Sequence, residues 1–343
     1  MLVFTAEQLR VVGRRIFVAA GAPDDIAALV AHSLVESNLA GHDSHGVIRI
    51  PAYVLAIQRG NLIPNARPSV LRETPTTAVV SGNWAFGQIA AAFAVELAIS
   101  KARAGHLAAV GVVQCNHIGR LGEYAELAAR AGLISMITVG GFPGGATAPH
   151  GGAGRALGTN PFAFGVPAAG FAPMIVDFAT TVVAEGKLQV ARAKKEPVPL
   201  GWILDKEGRP TTDVEDFYAG GTLLPLGGHK GYSLGMVAEV LSGALPGVDA
   251  FRGDRAGSGM FVLAVDPEVF RPFEEFAAAV ASLFQRVKSV PPAPGFDEVL
   301  VPGEPEERSR MRRQAEGIPV PEETWSRLES VARELGVDLA FGV

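Results

Sequence analysis

From Ala131 to Val176 the chain runs for 46 residues with one formal charge, Arg155. At the overall charged content of 19%, about nine would be expected. The run is not a membrane span. It holds eleven glycines and prolines at 143, 149, 161, 167 and 173, whereas a spanning helix needs roughly 20 continuous apolar residues without such breaks. The opposite pattern closes the chain, where Glu304 to Leu335 carries 14 charges in 32 residues.

The remaining composition narrows the class. A length of 343 residues allows two domains or one large one. Hydrophobic residues make up 48% and the net charge is only −5, which excludes a disordered chain. A nucleic-acid binder should show a basic excess or stripe, and none is present. The single cysteine, Cys115, excludes an intrachain disulfide and any multi-cysteine metal site. The first ten residues, MLVFTAEQLR, lack a basic region followed by an apolar run. No signal peptide is seen, and the expected compartment is a reducing cytoplasm.

Along the chain, helix signals come first. Thr5 and Gln8 make a capping box, in which each side chain satisfies the other's backbone N–H. Leu9, Val12 and Ile16 follow at helical spacing, and Gly21 suits the position just past the end. A second helix opens at Asp24 and ends at Gly41, and a third apolar pattern runs from Val47 to Gln58. The middle alternates. Strands are expected over 77–81, 108–113 and 133–139, with helices over 88–103 and 121–131 between them, which is an α/β layer. A strand over 173–177 is expected to run into a helix near 180–193. A further strand over 260–265 and a helix over 270–287 follow. Pro291, Pro292 and Pro294 look like a linker, and the charged tail reads as helices over 304–316 and 322–335.

Nucleotide fingerprints fail. Gly152, Gly154 and Gly158 do not make a G-x-G-x-x-G turn, and Pro161 forbids running a helix out of that loop. No phosphate loop of the G-x-x-x-x-G-K-[ST] type occurs. Other segments can carry chemistry. His45, Arg49 and Tyr53 fall at i, i+4 and i+8, one face if the segment is helical, although Pro51 is tolerated only in a first turn. The trio suits a 2-keto or 2-hydroxy acid: Arg offers a planar fork to its carboxylate, His can exchange its hydroxyl proton near neutral pH, and Tyr can add a neutral hydrogen bond. The same segment also suits a helix start capped by Asp43 or Ser44, or a metal pair of His42 and His45 with Asp43. Asn116-His117-Ile118-Gly119 follows an apolar strand, where such sheets place functional groups. His117 there is an acid–base candidate or a helix cap. Thr180 can open a helix whose N-terminus faces an anion, and His229-Lys230 places a cation beside glycines.

Taken in order, these segments resemble the type 2 malate/L-lactate dehydrogenases, a group that also includes ureidoglycolate, sulfolactate and diketogulonate oxidoreductases and some cyclic-imine reductases. The likeness spans nearly the whole chain: Ser44-His45-Gly46 with Arg49, Asn116-His117-Ile118-Gly119 with Gly122 and Tyr124, Gly158-Thr159-Asn160-Pro161, Asp177-Phe178-Ala179-Thr180, Gly201-Trp202, Lys230-Gly231-Tyr232 and Pro302-Gly303-Glu304.

The resemblance implies an NAD- or NADP-dependent oxidoreductase with an α/β, non-Rossmann cofactor fold. It implies a helical, substrate-side domain built from both termini (1–72 with 300–343) and an α/β cofactor domain (73–299). His45 and His117 match catalytic positions, and Ser44, Arg49 and Tyr53 match substrate-binding ones. Thr159, Asn160, Asp177, Ala179, Thr180, His229, Lys230, Gly303 and Glu304 match cofactor contacts. No metal ligand is implied. The partners implied are a small 2-hydroxy or 2-keto acid of the malate or L-lactate type and a second copy of the chain, with no nucleic acid and no membrane. Reduction of a cyclic imino acid and a cofactor-free binding role are the alternatives.

The sequence departs from the family pattern in places. The strand ending Thr138-Val139 lacks the Thr-Asn many members carry, and Thr181 and Ser233 are mild changes. Arg120 replaces a smaller residue and can meet a second carboxylate or a 2′-phosphate. On this reading Ala131–Val176 forms the wall of the cleft, mostly buried, with Arg155 its exposed or paired exception. A charge in such a wall would be desolvated at a cost of several kcal/mol.

Overall fold

The computed structural model describes residues 1–141, 144–253, 255 and 257–339. Strand β1 (Leu2–Phe4) leads into helices α1 (Ala6–Ala19) and α2 (Asp24–Leu39). The Thr5–Gln8 capping box is present. Two 3₁₀ turns, Asp43–His45 and Val47–Arg49, precede α3 (Ile50–Gln58). Then come β2 (Ser69–Glu73), β3 (Thr77–Ser81), α4 (Gly87–Gly105), β4 (Leu107–Cys115), α5 (Leu121–Arg130), β5 (Ile134–Gly140), β6 (Phe162–Val166) and β7 (Met174–Phe178). Helix α6 (Glu185–Lys194) enters a small lobe of β8 (Ile203–Leu204), β9 (Pro210–Thr211), α7 (Val214–Tyr218) and β10 (Thr222–Leu223). Helix α8 (His229–Ala238) continues as a π-helix, Glu239–Ala244, followed by α9 (Val248–Arg252). The chain finishes with β11 (Ser258–Val265), α10 (Phe273–Lys288), α11 (Glu304–Glu316), β12 (Ile318–Val320) and α12 (Glu322–Glu334).

The main sheet has seven strands in the order β2-β3-β4-β11-β5-β6-β7. Only β3 and β4 run parallel, so the layer is mixed α/β. The alanines of α4 (Ala90, Ala91, Ala94, Ala98 and Ala102) are buried against Val80, Val110 and Val112. Side chains this small let the helix backbone approach the sheet closely, keeping the interior dense. A second core joins both ends of the chain: Leu9, Ile16, Leu34 and Ile50 pack with Ile318, Val320 and Leu328. Strands β1 and β12 pair antiparallel beneath it. A third, smaller core around Leu188, Ile203, Phe217 and Leu223 holds the lobe.

Three expectations need correction. The helix expected from Thr180 begins only at Glu185. Thr180 is buried and its hydroxyl donates to the Thr159 carbonyl at 3.0 Å, so it presents no helix N-terminus. The segment from His45 to Tyr53 is not one helix, because Arg49 is the N-cap of α3 and Pro51 lies in its first turn. Finally, strands β5 and β6 of the charge-poor run are largely buried, but six of the seven residues 150–156 are exposed. Glycine and alanine, with Arg155 the one charge, leave that loop poor in charge without burying it. Arg155 is exposed and partnered: Nε donates to the Gly221 carbonyl at 2.8 Å and Nη2 to that of Phe217 at 2.7 Å. Among the described residues no helix is long and apolar enough to cross a membrane.

Candidate active site

The turns after α2 are fastened at several points. The Asn38 carboxamide accepts from the Val47 N–H at 2.9 Å and donates to Asp43 Oδ1 at 2.6 Å. Arg313 on α11 grips both Asp43 oxygens, at 2.6 and 3.0 Å. His42 Nε2 lies 3.3 Å from Glu306 Oε1. His42, Asp43 and His45 therefore serve different partners and do not converge as metal ligands. Gly46 is required here, since a Cβ would overlap the Asn38 carboxamide.

This fastening presents Ser44, His45 and Arg49 to the end of β4. Ser44 Oγ is 2.9 Å from His45 Nδ1. The rings of His45 and His117 stack with centroids 5.5 Å apart and planes 20° apart. Tyr53 Oη is 2.7 Å from His117 Nδ1 and receives Gln88 Nε2 at 2.9 Å. The tyrosine hydroxyl is thus turned to a histidine and not to open space. Arg49 Nε donates to the Ser44 carbonyl at 2.6 Å. Among the described residues no carboxylate lies within ion-pair distance of Arg49, so both its terminal nitrogens are free for an anion.

The electrostatics follow from burial and this one cation. Burial first, then Arg49, lowers His45 to about 4. The same two causes hold His117 well below the ordinary histidine value. Burial raises Tyr53 to about 12. Both histidines are therefore neutral near pH 7, facing an unpaired guanidinium. That suits binding a carboxylate beside a group that takes or gives a proton.

The expected cofactor residues fall into two groups. Thr159, Asn160 and Thr180 meet α8: Thr180 N–H donates to the Thr159 carbonyl at 2.9 Å and Asn160 Nδ2 to that of Gly235 at 2.9 Å. Exposed His229 and Lys230 lie at the start of α8. Gly303 caps α11 and Glu304 opens it, close to β7 with Asp177, where the Ile175 N–H donates to the Pro302 carbonyl at 3.2 Å. Partly buried Ala179 lies between the groups. Asp177 Oδ2 accepts from the Gly122 N–H at 2.6 Å, and burial raises its carboxyl. The Glu304 carboxylate is already engaged by Lys288 Nζ, at 2.6 and 2.7 Å, and by the Val301 N–H. Gly186, at the start of α6, packs on Ser44, since its Cβ would lie 3.0 Å from that of Ser44. The segment 180–186 thus runs from the α8 group to Ser44 beside His45.

One observation bears on whether a dinucleotide fits. Asn160 Oδ1 is buried without a hydrogen-bond partner among the described residues, an acceptor left open for a water or a ligand donor. With the exposed Lys230 cation at the start of α8, these residues fit a nicotinamide dinucleotide. Arg120 is a poorer anion site than its sequence position suggests. It is buried, Glu126 lies 3.9 Å from its guanidinium, and Glu306, Glu307 and the already paired Arg310 line the same cavity. Gln88 was not singled out in the sequence, although one amide in the apolar run of α4 is a signal that can be read.

Residues 4–329 match the family described as malate/L-lactate dehydrogenase. A malate dehydrogenase of Pyrococcus abyssi is 36% identical over 336 residues, covering 94% of this chain and 92% of that one. An L-sulfolactate dehydrogenase of Methanothermobacter thermautotrophicus is 36% identical, covering 99% and 98%. The solved malate dehydrogenase of Entamoeba histolytica superposes with a TM-score of 0.93 at 27% identity over 99% of both chains. The chain therefore belongs to the malate/L-lactate dehydrogenase family, whose members are NAD(P)-dependent dehydrogenases.

Proposed function

We propose that this protein interconverts a small 2-hydroxy acid and its 2-keto acid with NAD or NADP, on substrates of the malate or L-lactate type. The observation that carries the reading is the unpaired Arg49 guanidinium beside two stacked, neutral histidines. Arg49 holds the substrate carboxylate through its two free terminal nitrogens. Ser44 orients His45 through Nδ1, and His45 and His117 serve the oxygen on C2. Thr159, Asn160, Ala179, Thr180, His229 and Lys230 would hold the dinucleotide, with Asp177, Gly303 and Glu304 bordering the same cleft. The nicotinamide supplies the hydride chemistry.

The division into a helical unit of both termini and an α/β unit belongs to this reading, with the cleft between them. So do a cytoplasmic enzyme and a homodimer. Exposed Leu234, Val237, Val240 and Leu245, on and just after α8, suit a face covered by a second copy.

The test is a substrate panel of oxaloacetate, pyruvate, sulfopyruvate and piperideine-2-carboxylate, each run with NADH and NADPH. Oxidation of the nucleotide with a keto acid is expected. Turnover of piperideine-2-carboxylate alone would replace this reading with imine reduction. A folded protein that binds neither nucleotide would be a cofactor-free binder.

A further inference from the structure

His117 Nδ1 has two polar neighbours, the Gly119 N–H at 3.3 Å and Tyr53 Oη at 2.7 Å. A peptide N–H can only donate. A proton on Nδ1 would meet it head on, so Nδ1 carries its lone pair and the Tyr53 hydroxyl must donate to it. Tyr53 Oη in turn lies 2.9 Å from Gln88 Nε2, which also only donates. Turning the Gln88 amide over would ask Tyr53 to donate to Gln88 and His117 to donate from Nδ1, and the Gly119 N–H forbids that. Gln88 donates to Tyr53, and Tyr53 and the Gly119 N–H both donate to Nδ1. His117 Nε2 makes no hydrogen bond to a described residue.

We propose that Gln88 and Tyr53 are positioning residues that lock neutral His117 in its Nε2–H tautomer. His117 is then the fixed hydrogen-bond donor to the oxygen on C2, while His45 carries the proton. The inference rests on the reading above as a 2-keto acid reductase. When hydride reaches C2, the carbonyl π pair moves onto oxygen and that oxygen must gain one proton. His117 keeps its own, because releasing it would leave an imidazolate whose Nδ1 already receives two hydrogen bonds. In reduction His45 first takes a proton from solvent onto Nε2, becoming an imidazolium whose other N–H faces Ser44 Oγ, and passes that proton to the oxygen, returning to the neutral ring. In oxidation the proton passes from the hydroxyl to His45 Nε2. Tyr53 acts through His117 and does not touch the substrate.

The test separates this inference from the activity it serves. Two-bond ¹H–¹⁵N spectra of the full-length enzyme are recorded without substrate or nucleotide. His117 is picked out among the seven histidines by comparison with His117→Asn. A pyridine-like Nδ1 and a pyrrole-like Nε2 in one tautomer are expected, even if no keto acid proves to be a substrate. Tyr53→Phe, which keeps the packed ring, and Gln88→Leu should each mix the tautomers. Each should lower kcat roughly tenfold to a hundredfold with KM within about twofold. A pyrrole-like Nδ1 in the wild type would overturn the proposal. So would a Tyr53→Phe enzyme with raised KM and unchanged kcat, which would put the hydroxyl on the substrate. Should Gln88→Leu fail to fold, Tyr53→Phe and the wild-type spectrum still decide.

Discussion

Replacing Arg49 by glutamine tests the centre of the proposed site. Its Nε is held by the Ser44 carbonyl, so two terminal nitrogens remain for a carboxylate. At ~4 Å and an effective dielectric of ~20, a pair of unit charges attracts by about 4 kcal/mol. Two hydrogen bonds to a charged group, at about 1.5–3 kcal/mol each, give the same order. Each 1.36 kcal/mol is tenfold in rate. After desolvation offsets part of the gain, kcat/KM for a 2-keto acid should fall by about 10²–10³. Most of the loss should lie in KM if the contact is equally strong in ground and transition states.

A second readout needs no substrate. Arg49 is the largest charge acting on His45 and on His117 after burial itself. Arg49→Gln should therefore raise the His45 titration above its value of about 4, followed by NMR. Burial remains, so the rise stops short of the ordinary value. Arg49→Lys keeps the charge but loses the fork, and should fall between the two enzymes in kcat/KM. A kcat/KM in Arg49→Gln within about threefold of wild type, together with an unmoved His45, would refute the reasoning.

Other perturbations read neighbouring parts of the same structure. His45 titrates at about 4 when folded, against an ordinary histidine value of 6.5. Its folded pKa is lowered, so above 6.5 it costs nothing, and as pH falls the unfolded chain takes up the proton first. Urea denaturation should show the loss of stability from pH 7.5 to 4.5 shrinking by about 2–3 kcal/mol in His45→Asn, and an equal loss in both proteins would sink the shift. Gly46→Ala should destabilise by about 2–4 kcal/mol, because the Asn38 carboxamide must give way and release its bonds to Val47 and Asp43. Gly154→Ala, with nothing within 4 Å of the new methyl, should stay within about 0.5 kcal/mol. Burial pushes the Cys115 thiol up to about 12, so it should ignore Ellman's reagent at pH 8 until denaturant is added; fast labelling of native protein would contradict its burial.

Local signals in the sequence reported local structure faithfully. The Thr5–Gln8 box, the apolar spacing of α1 and α2 and the alternation from β3 to β5 depend on neighbours a few residues apart. What could not be read locally was pairing. β11 inserts between β4 and β5 from more than a hundred residues downstream, and β1 closes on β12 across nearly the whole chain. Strands of three residues carry too little pattern to announce such partners. The site divides in the same way. Arg49, His45 and His117 stand out by residue type, but their meeting depends on how α2 and α3 pack against α4 and β4. The helical face drawn through His45, Arg49 and Tyr53 failed because Pro51 starts a new helix, yet the three side chains still arrive together from two 3₁₀ turns and one helix.

The charge-poor run shows why composition alone stops short. Scarcity of charge in Ile134–Gly140 and Phe162–Val166 does mark buried strands. The same scarcity over residues 150–156 marks an exposed turn of glycine and alanine. Its one cation, Arg155, ties the turn to the lobe through the carbonyls of Phe217 and Gly221. His150 in that turn meets His229 edge-on at 6.0 Å, at the start of α8 where the dinucleotide is proposed to bind. Scarcity of charge thus has two structural causes in one run: burial in its strands, and small side chains in a turn whose backbone stays accessible.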